Sequence, residues 1–179
     1  MARKKPRCVL CDASPVIALH EADAWGAFIS AYAVVLPETV VSEVHYHSRD
    51  EYTDDRVPID LSGDIASGAI RMVSATTGDL LALHGRLDGT LELHAGESEA
   101  LALLASHEEF EEHAFCASDK VAIEVACLIG IGERCLSLEE LLEAIGHRRT
   151  LGHEMKKAYM DEWKRKGSEL RVTGTGLRH

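Results

Sequence analysis

The segment Cys8-Val9-Leu10-Cys11-Asp12-Ala13-Ser14-Pro15-Val16-Ile17 decides how the chain folds. Residues 8–12 predict a strand that is apolar on both faces, as the central strands of parallel sheets are. Ser14 and Pro15 are typical of a helix start, with Ser14 as the N-cap and Pro15 at the first helical position. A strand that leads directly into a helix is the repeating unit of α/β proteins.

The same alternation continues along the chain. Further strands are predicted over 33–36, 70–74 and 114–117, with a short one near Cys135. Helices are predicted over 23–33, directly after Pro37, over 78–87, 97–109 and 118–130, from Ser137, and over 153–166. Residues 48–69 are interpreted as an exposed insertion in which only 57–61 looks extended. We therefore expect an α/β fold, a three-layer α/β/α arrangement with a central, mostly parallel β-sheet.

Charge is distributed unevenly along the 179 residues, whose formal net charge is −11. Residues 1–7 contain four basic residues and no acid, and residues 147–179 contain nine basic and four acidic residues, which leaves 6 basic and 26 acidic residues in 8–146. We predict a basic N-terminal arm over 1–7, one domain over 8–146, and a basic C-terminal helix and tail over 147–179. Basic ends suit a polyanionic ligand, and they equally suit solvated ends that keep the chain in solution.

Hydropathy and cysteine content predict the compartment. The longest apolar runs, such as 31–37, are far below the ~20 residues of a membrane span, and no signal-peptide pattern opens the sequence. The five cysteines are an odd number, which indicates reduced thiols, and Cys8 and Cys11 on one strand face opposite sides of the sheet and are not expected to share a metal. We expect a soluble cytoplasmic protein without a membrane partner.

Five acidic residues stand at the predicted junctions between strands and helices. Asp12 ends the first strand, Asp119 follows the fourth, Glu43 lies on the helix after the second, and Glu97 and Glu99 open the helix before the fourth. Ligands of such folds bind outside the carboxyl ends of the strands. Converging carboxylates repel one another unless a cation neutralises them, and an all-oxygen set favours Mg²⁺ or Mn²⁺ over Zn²⁺. The set predicts phosphodiester hydrolysis by a metal-activated water.

These residues lie in segments that resemble a known family. Residues 9–17, 36–44, 96–103 and 117–120 look like the four ordered acidic motifs of PIN-domain ribonucleases, including VapC-type toxin nucleases, and the resemblance spans about 8–146. It implies a compact α/β/α domain that cleaves RNA with Mg²⁺ or Mn²⁺, often as a homodimer and often paired with a small antitoxin protein.

The resemblance also implies a role for individual residues. Asp12 corresponds to the first acid, Glu43 to the second and Asp119 to the fourth, with Ser14 and Ser118 in support. The third acid stays open between Glu97 and Glu99, which face about 200° apart on a helix. The Glu-Ala-Leu pattern favours Glu99, whereas helical phase places Glu97 above Leu101 and Leu104.

Other residues receive weaker interpretations. Basic residues near the C-terminus are candidate RNA contacts: Arg148, Arg149, Lys156, Lys157 and Lys164. Histidines such as His94 show no ligand spacing and are assigned surface or capping roles. Trp163 is interpreted as a packing residue, although its place in the basic helix also suits stacking on bases. The alternative to a nuclease is a catalytically silent PIN-like module that binds RNA or a protein partner.

Overall fold

The computed structural model describes residues 7–48 and 56–178. Its strands are β1 (Cys8–Cys11), β2 (Ala33–Pro37), β3 (Tyr46–Ser48), β4 (Arg56–Pro58), β5 (Ile70–Val73) and β6 (Ala114–Cys116). Four of them form an all-parallel sheet in the order β5-β2-β1-β6. The predicted short strand near Cys135 is a single parallel bridge to Phe115.

Helices surround this sheet. They are α1 (Ala13–Glu21), α2 (Trp25–Ala31), α3 (Glu38–Glu43), α4 (Ser62–Ser67), α5 (Thr77–Arg86), α6 (Ala95–Ser106), α7 (Lys120–Leu128), α8 (Leu138–Ala144) and α9 (Lys157–Thr173). The predicted alternation of strands and helices is confirmed, but the predicted N-cap of the first helix is wrong. Asp12 has the extended backbone of an N-cap, so the helix begins at Ala13 and Ser14 lies within its first turn.

The sheet separates two apolar clusters, which gives the fold its three layers. Val9 and Cys11 face a cluster that includes Phe28 of α2, whereas Leu10 faces a second cluster that includes Ile123 of α7. This alternation follows from the two-residue period of a strand, and it explains why every residue at the end of β1 is apolar. The predicted α/β/α arrangement is confirmed.

Part of the predicted insertion belongs to the body of the protein. Strands β3 and β4 pair antiparallel, and α4 follows them. The side chains of Ile59 and Leu61 are only 8% and 4% exposed and join the first cluster. Most residues of 56–69 are exposed, as interpreted from the sequence, but the buried side chains of Ile59 and Leu61 anchor the segment to the body. Residues 49–55 lie outside the described residues.

Helix α9 packs closely against α7. A Cβ atom on Gly167 would lie 2.8 Å from Cys127 Cβ and 2.9 Å from Glu124 Cα, so only glycine permits this approach of the two backbones. Met160 of α9 is fully buried in the second cluster. The segment predicted as a C-terminal helix and tail therefore forms part of one helical layer. In the described residues no helix has the length and apolar character needed to cross a membrane.

Arg134 fixes the chain that leads into β6. Its half-buried guanidinium donates hydrogen bonds to three backbone carbonyls, those of Leu104, Phe110 and His113. Because it holds three carbonyls of one segment, this one cation stabilises the connection from α6 to β6.

Candidate active site

Two acids meet at the carboxyl edge of the sheet because their strands are neighbours. Asp12 directly follows β1, and its backbone N–H donates to the Cys116 carbonyl at the end of β6 at 3.0 Å. Asp119 follows β6 after two residues and is the N-cap of α7. The register of β1 and β6, which pairs Cys11 with Cys116, therefore brings both acids to one place.

Glu43 reaches the same edge from α3, which follows β2 without a loop. Helix α6 precedes β6 and so begins at this edge, and its residue Gly96 lies between the acids. A Cβ atom at position 96 would lie 3.2 Å from Glu43 Oε2, 3.7 Å from Asp12 Oδ1 and 3.1 Å from Val40 Cγ2. The absence of a side chain at Gly96 thus leaves room for two carboxylates to face one point.

The two glutamates of α6 have different surroundings. Glu97 lines the pocket with Asp12 and Asp119, and its Oε2 accepts a hydrogen bond from the His94 backbone N–H at 2.9 Å. Glu99 is also buried, but its two carboxylate oxygens accept from backbone N–H groups elsewhere, at Thr39 of α3 (2.9 Å) and at Ala75 beyond β5 (3.0 Å).

The geometry does not support the preference for Glu99, because Glu97 lines the pocket and Glu99 lies outside its lining. Two residues on a helix are separated by about 200°, so only one of the pair faces the pocket. Helical phase indicated Glu97, the residue that lines the pocket, whereas the local Glu-Ala-Leu pattern indicated Glu99.

The acids line an open pocket of about 470 Å³. Six of its residues were predicted from the sequence: Asp12, Ser14, Glu43, Glu97, Ser118 and Asp119. Three more with polar side chains were not: His94, Glu154 and Tyr159. His94 had a usable signal, because it is the N-cap of the helix that carries Glu97. Glu154 and Tyr159 had none, since they reach the pocket only through the packing of α9 on α7.

The pocket makes negative charge costly. Burial raises the pKa of Asp12 to about 6, with repulsion from Glu43 and Asp119 adding to it and a hydrogen bond from the Ala13 backbone opposing it. Burial likewise raises the pKa of Glu97 to about 7, and Asp119 and Asp12 add to the increase. Both carboxyls therefore take up a proton at a higher pH than ordinary Asp and Glu side chains do when no cation is present.

No family model, curated protein or solved structure matches this chain. The interpretation of the pocket depends on its own residues.

Asp119 is anchored more firmly than its neighbours. Its Oδ1 accepts hydrogen bonds from the backbone N–H groups of Val121 and Ala122, at 2.6 and 3.1 Å, and so caps α7. These two bonds fix the direction of the carboxylate. Tyr159 faces the same region; burial, with Asp119, Glu154 and Glu162 adding to it, raises the pKa of its phenol. The phenol thus stays protonated and able to donate a hydrogen bond.

The donor set fits a hard divalent cation, although the side chains are not closed around one point. Within 7–48 and 56–178, no three His, Cys, Asp or Glu side chains stand close enough to hold a metal ion together. The pocket offers carboxylate oxygens, which Mg²⁺ and Mn²⁺ prefer. Glu43 is exposed at the end of α3, so rotation of its side chain can complete a set with Asp12.

The five candidate RNA contacts are not among the residues that line this pocket. Arg148 and Arg149 line a separate recess beside α8, and Arg149 donates to a backbone carbonyl after α1. Lys164 lines another recess and donates to a backbone carbonyl before α8. Lys157 pairs with an aspartate one turn along α9, and Lys156 is exposed at the start of that helix. Their positions disperse them over the surface.

Proposed function

We propose that this protein is a divalent-metal-dependent endoribonuclease, in which Asp12, Glu43, Glu97 and Asp119 hold Mg²⁺ or Mn²⁺. The observation that supports the proposal most strongly is the convergence of these acids from four separate elements on one pocket at the carboxyl edge of a parallel sheet. A chain that only needed caps and surface charge has no reason to accumulate carboxylates whose pKa values rise on burial.

Each residue has a distinct part in the proposed reaction. The bound cation would supply an activated water and neutralise charge on the phosphate. Asp12 and Glu97 form the buried floor, Asp119 is held in direction by the start of α7, and Glu43 closes from the exposed side. The hydroxyls of Ser14 and Ser118 and the phenol of Tyr159 line the same space and can orient a phosphate or a water.

Metal titration and RNA cleavage test the proposal together. Mn²⁺ should raise the melting temperature of the wild type, and Asp12→Asn and Asp119→Asn should abolish the increase and reduce cleavage of a labelled RNA in Mg²⁺ or Mn²⁺ at least a hundredfold. Glu109→Gln is the matched control, because it removes one exposed carboxylate that pairs with Arg71 outside the pocket. A wild type that neither binds Mn²⁺ nor cuts RNA contradicts the proposal.

One observation favours a second function, a silent module that binds RNA or a protein without cleaving it. In the described residues the acids do not come close enough for three of them to hold an ion as they stand. The same titration separates the two functions, since a silent module retains RNA on a filter while Mn²⁺ leaves its melting temperature unchanged.

A cellular role as the toxin of a toxin–antitoxin pair follows from the same proposal. The acidic pocket is complementary to a basic segment of a small antitoxin, and a cytoplasmic homodimer is the assembly we expect. Growth arrest on expression alone, relieved by a co-purifying small protein, is the expected result. Harmless expression with no co-purifying protein excludes this role and leaves the nuclease proposal standing.

A further inference from the structure

A row of aromatic side chains leads away from the pocket along α9. Tyr159 lines the pocket, and its ring centroid lies 6.0 Å from that of Trp163, one helical turn further on. The ring of His153 lies 5.4 Å from Tyr159 on the other side. Tyr159 and Trp163 pack partly against the second apolar cluster and remain partly exposed. We call His153, Tyr159 and Trp163 the aromatic ridge.

Two lysines flank the ridge. Lys120, the residue after Asp119, places its Nζ 5.6 Å from the Trp163 ring centroid, and Lys166 places its Nζ 3.6 Å from the same point. The Lys166 Nζ also donates to Glu162 at 2.7 Å, so the charge of this surface is mixed. Ammonium groups over a ring occupy the positions that a base would take, and both belong to flexible side chains.

We propose that the aromatic ridge binds the bases of a single-stranded nucleic acid whose backbone enters the acid pocket. The rings of Tyr159 and Trp163 lie on neighbouring turns of one helix face and are tilted by 55° to each other, so each can present a face to a different unpaired base. A base that stacks on Trp163 displaces an ammonium group, which then lies beside the phosphates of the strand. The position of the cleaved phosphate rests on the proposed nuclease function, but base binding rests on the ridge alone.

The ridge selects single strands over duplexes. Bases in a duplex are stacked on one another and cannot present their faces to a protein ring, whereas unpaired bases can. The neighbouring acids, Glu154 and Glu162, repel a continuous line of phosphates along α9. Recognition therefore depends on ring faces more than on net charge, which agrees with the dispersal of the basic residues.

Fluorescence anisotropy tests the proposal by measuring how tightly the protein binds a labelled ten-nucleotide RNA in Ca²⁺. A gel verifies that the RNA stays intact. Tyr159→Leu and Trp163→Leu should each weaken binding of the single strand by roughly 5- to 100-fold. Trp163→Phe, which keeps a ring at a position outside the pocket lining, should stay within roughly threefold of the wild type. Tyr46→Leu is the control, because Tyr46 is 51% exposed and lies outside the pocket lining.

A second measurement covers leucine variants that do not fold. The chain has two tryptophans, so Trp25→Phe leaves Trp163 as the only one, and a stacked base should quench its emission. Unquenched Trp163 emission at saturating RNA overturns the proposal. So does wild-type affinity for RNA in both leucine variants, or a Tyr46→Leu variant that weakens binding as much as they do. Failure of the wild type to bind the single strand also overturns it. Cleavage in Mn²⁺ with unchanged affinity of the variants refutes the ridge alone; ridge-dependent binding without cleavage refutes the nuclease alone.

Discussion

Replacing Asp12 by asparagine should stabilise the metal-free protein. Asp12 is 6% exposed, and its pKa of about 6 in the fold compares with 3.8 for an unperturbed aspartate. About two pKa units at 1.36 kcal/mol each set an upper limit of about 3 kcal/mol on the penalty for the buried charge. Since neighbouring side chains relax, we expect Asp12→Asn to raise the free energy of unfolding by about 1–3 kcal/mol at pH 8 in a chelator.

The pH dependence of this gain has a definite sign. Below pH 3.8 the carboxyl is protonated in both the folded and the unfolded chain, so it costs nothing. Between pH 3.8 and about 6 only the unfolded chain loses its proton freely, so the penalty grows, and above pH 6 it is constant. At pH 4.5 the gain should have fallen to about a third of its value at pH 8.

Urea unfolding at the two pH values, with and without Mn²⁺, is the assay. A control of opposite sign is Asp79→Asn, because hydrogen bonds from Thr76 lower the pKa of Asp79 to about 2, so its charge stabilises the fold. Mn²⁺ should reverse the order of wild type and Asp12→Asn. A variant less stable than the wild type at pH 8 in chelator, or a gain as large at pH 4.5 as at pH 8, refutes the reasoning.

Three further substitutions probe the scaffold by urea unfolding. The amide of Glu99→Gln can accept only one of the two backbone hydrogen bonds well, so the free energy of unfolding should fall by about 1–3 kcal/mol. Wild-type stability would show that Glu99 does not join α3 to the chain after β5. Gly167→Ala should lower the free energy of unfolding by about 1–3 kcal/mol because its Cβ clashes with α7. Gly26→Ala, which has open space around it, should not lower it. Equal effects would exclude close helix packing as the cause. Arg134→Met removes the guanidinium donor of three carbonyls and should lower the free energy of unfolding by about 2–4 kcal/mol. A decrease below about 1 kcal/mol would contradict the role of Arg134 in holding the connection from α6 to β6.

The sequence predicts the fold well where local pattern and tertiary packing agree. Strand β1 is apolar on both faces because both faces are covered. The places of Asp12 and Asp119 in the site were predicted from their positions just after β1 and β6. The third acid depends on helical phase, which a short motif does not express, and so the pattern favoured Glu99. The position of Tyr159 depends on the docking of α9 against α7, of which Gly167 is a local trace in the sequence.

The C-terminal segment is a second case in which the sequence alone does not predict which side chains lie together. Its basic residues suggested an RNA surface because the linear sequence groups them. In the fold, Lys164 and Arg149 donate to the chain's own carbonyls, and the groups beside the acids are aromatic. The linear sequence does not show that Arg149 lies before α9, whereas Lys164 lies on it, so the two side chains reach different recesses.

Helix α6 carries two glutamates that are subject to different constraints. Glu97 serves the pocket, whereas Glu99 binds the start of α3, the helix that carries Glu43, to the chain after β5. Among descendants of this chain that lose their chemistry, position 97 should drift early, while Glu99 should persist for as long as the fold does. On the proposed function, the pair therefore offers an evolutionary record: a homologue with Glu99 but without Glu97 would keep the scaffold without the acid pocket.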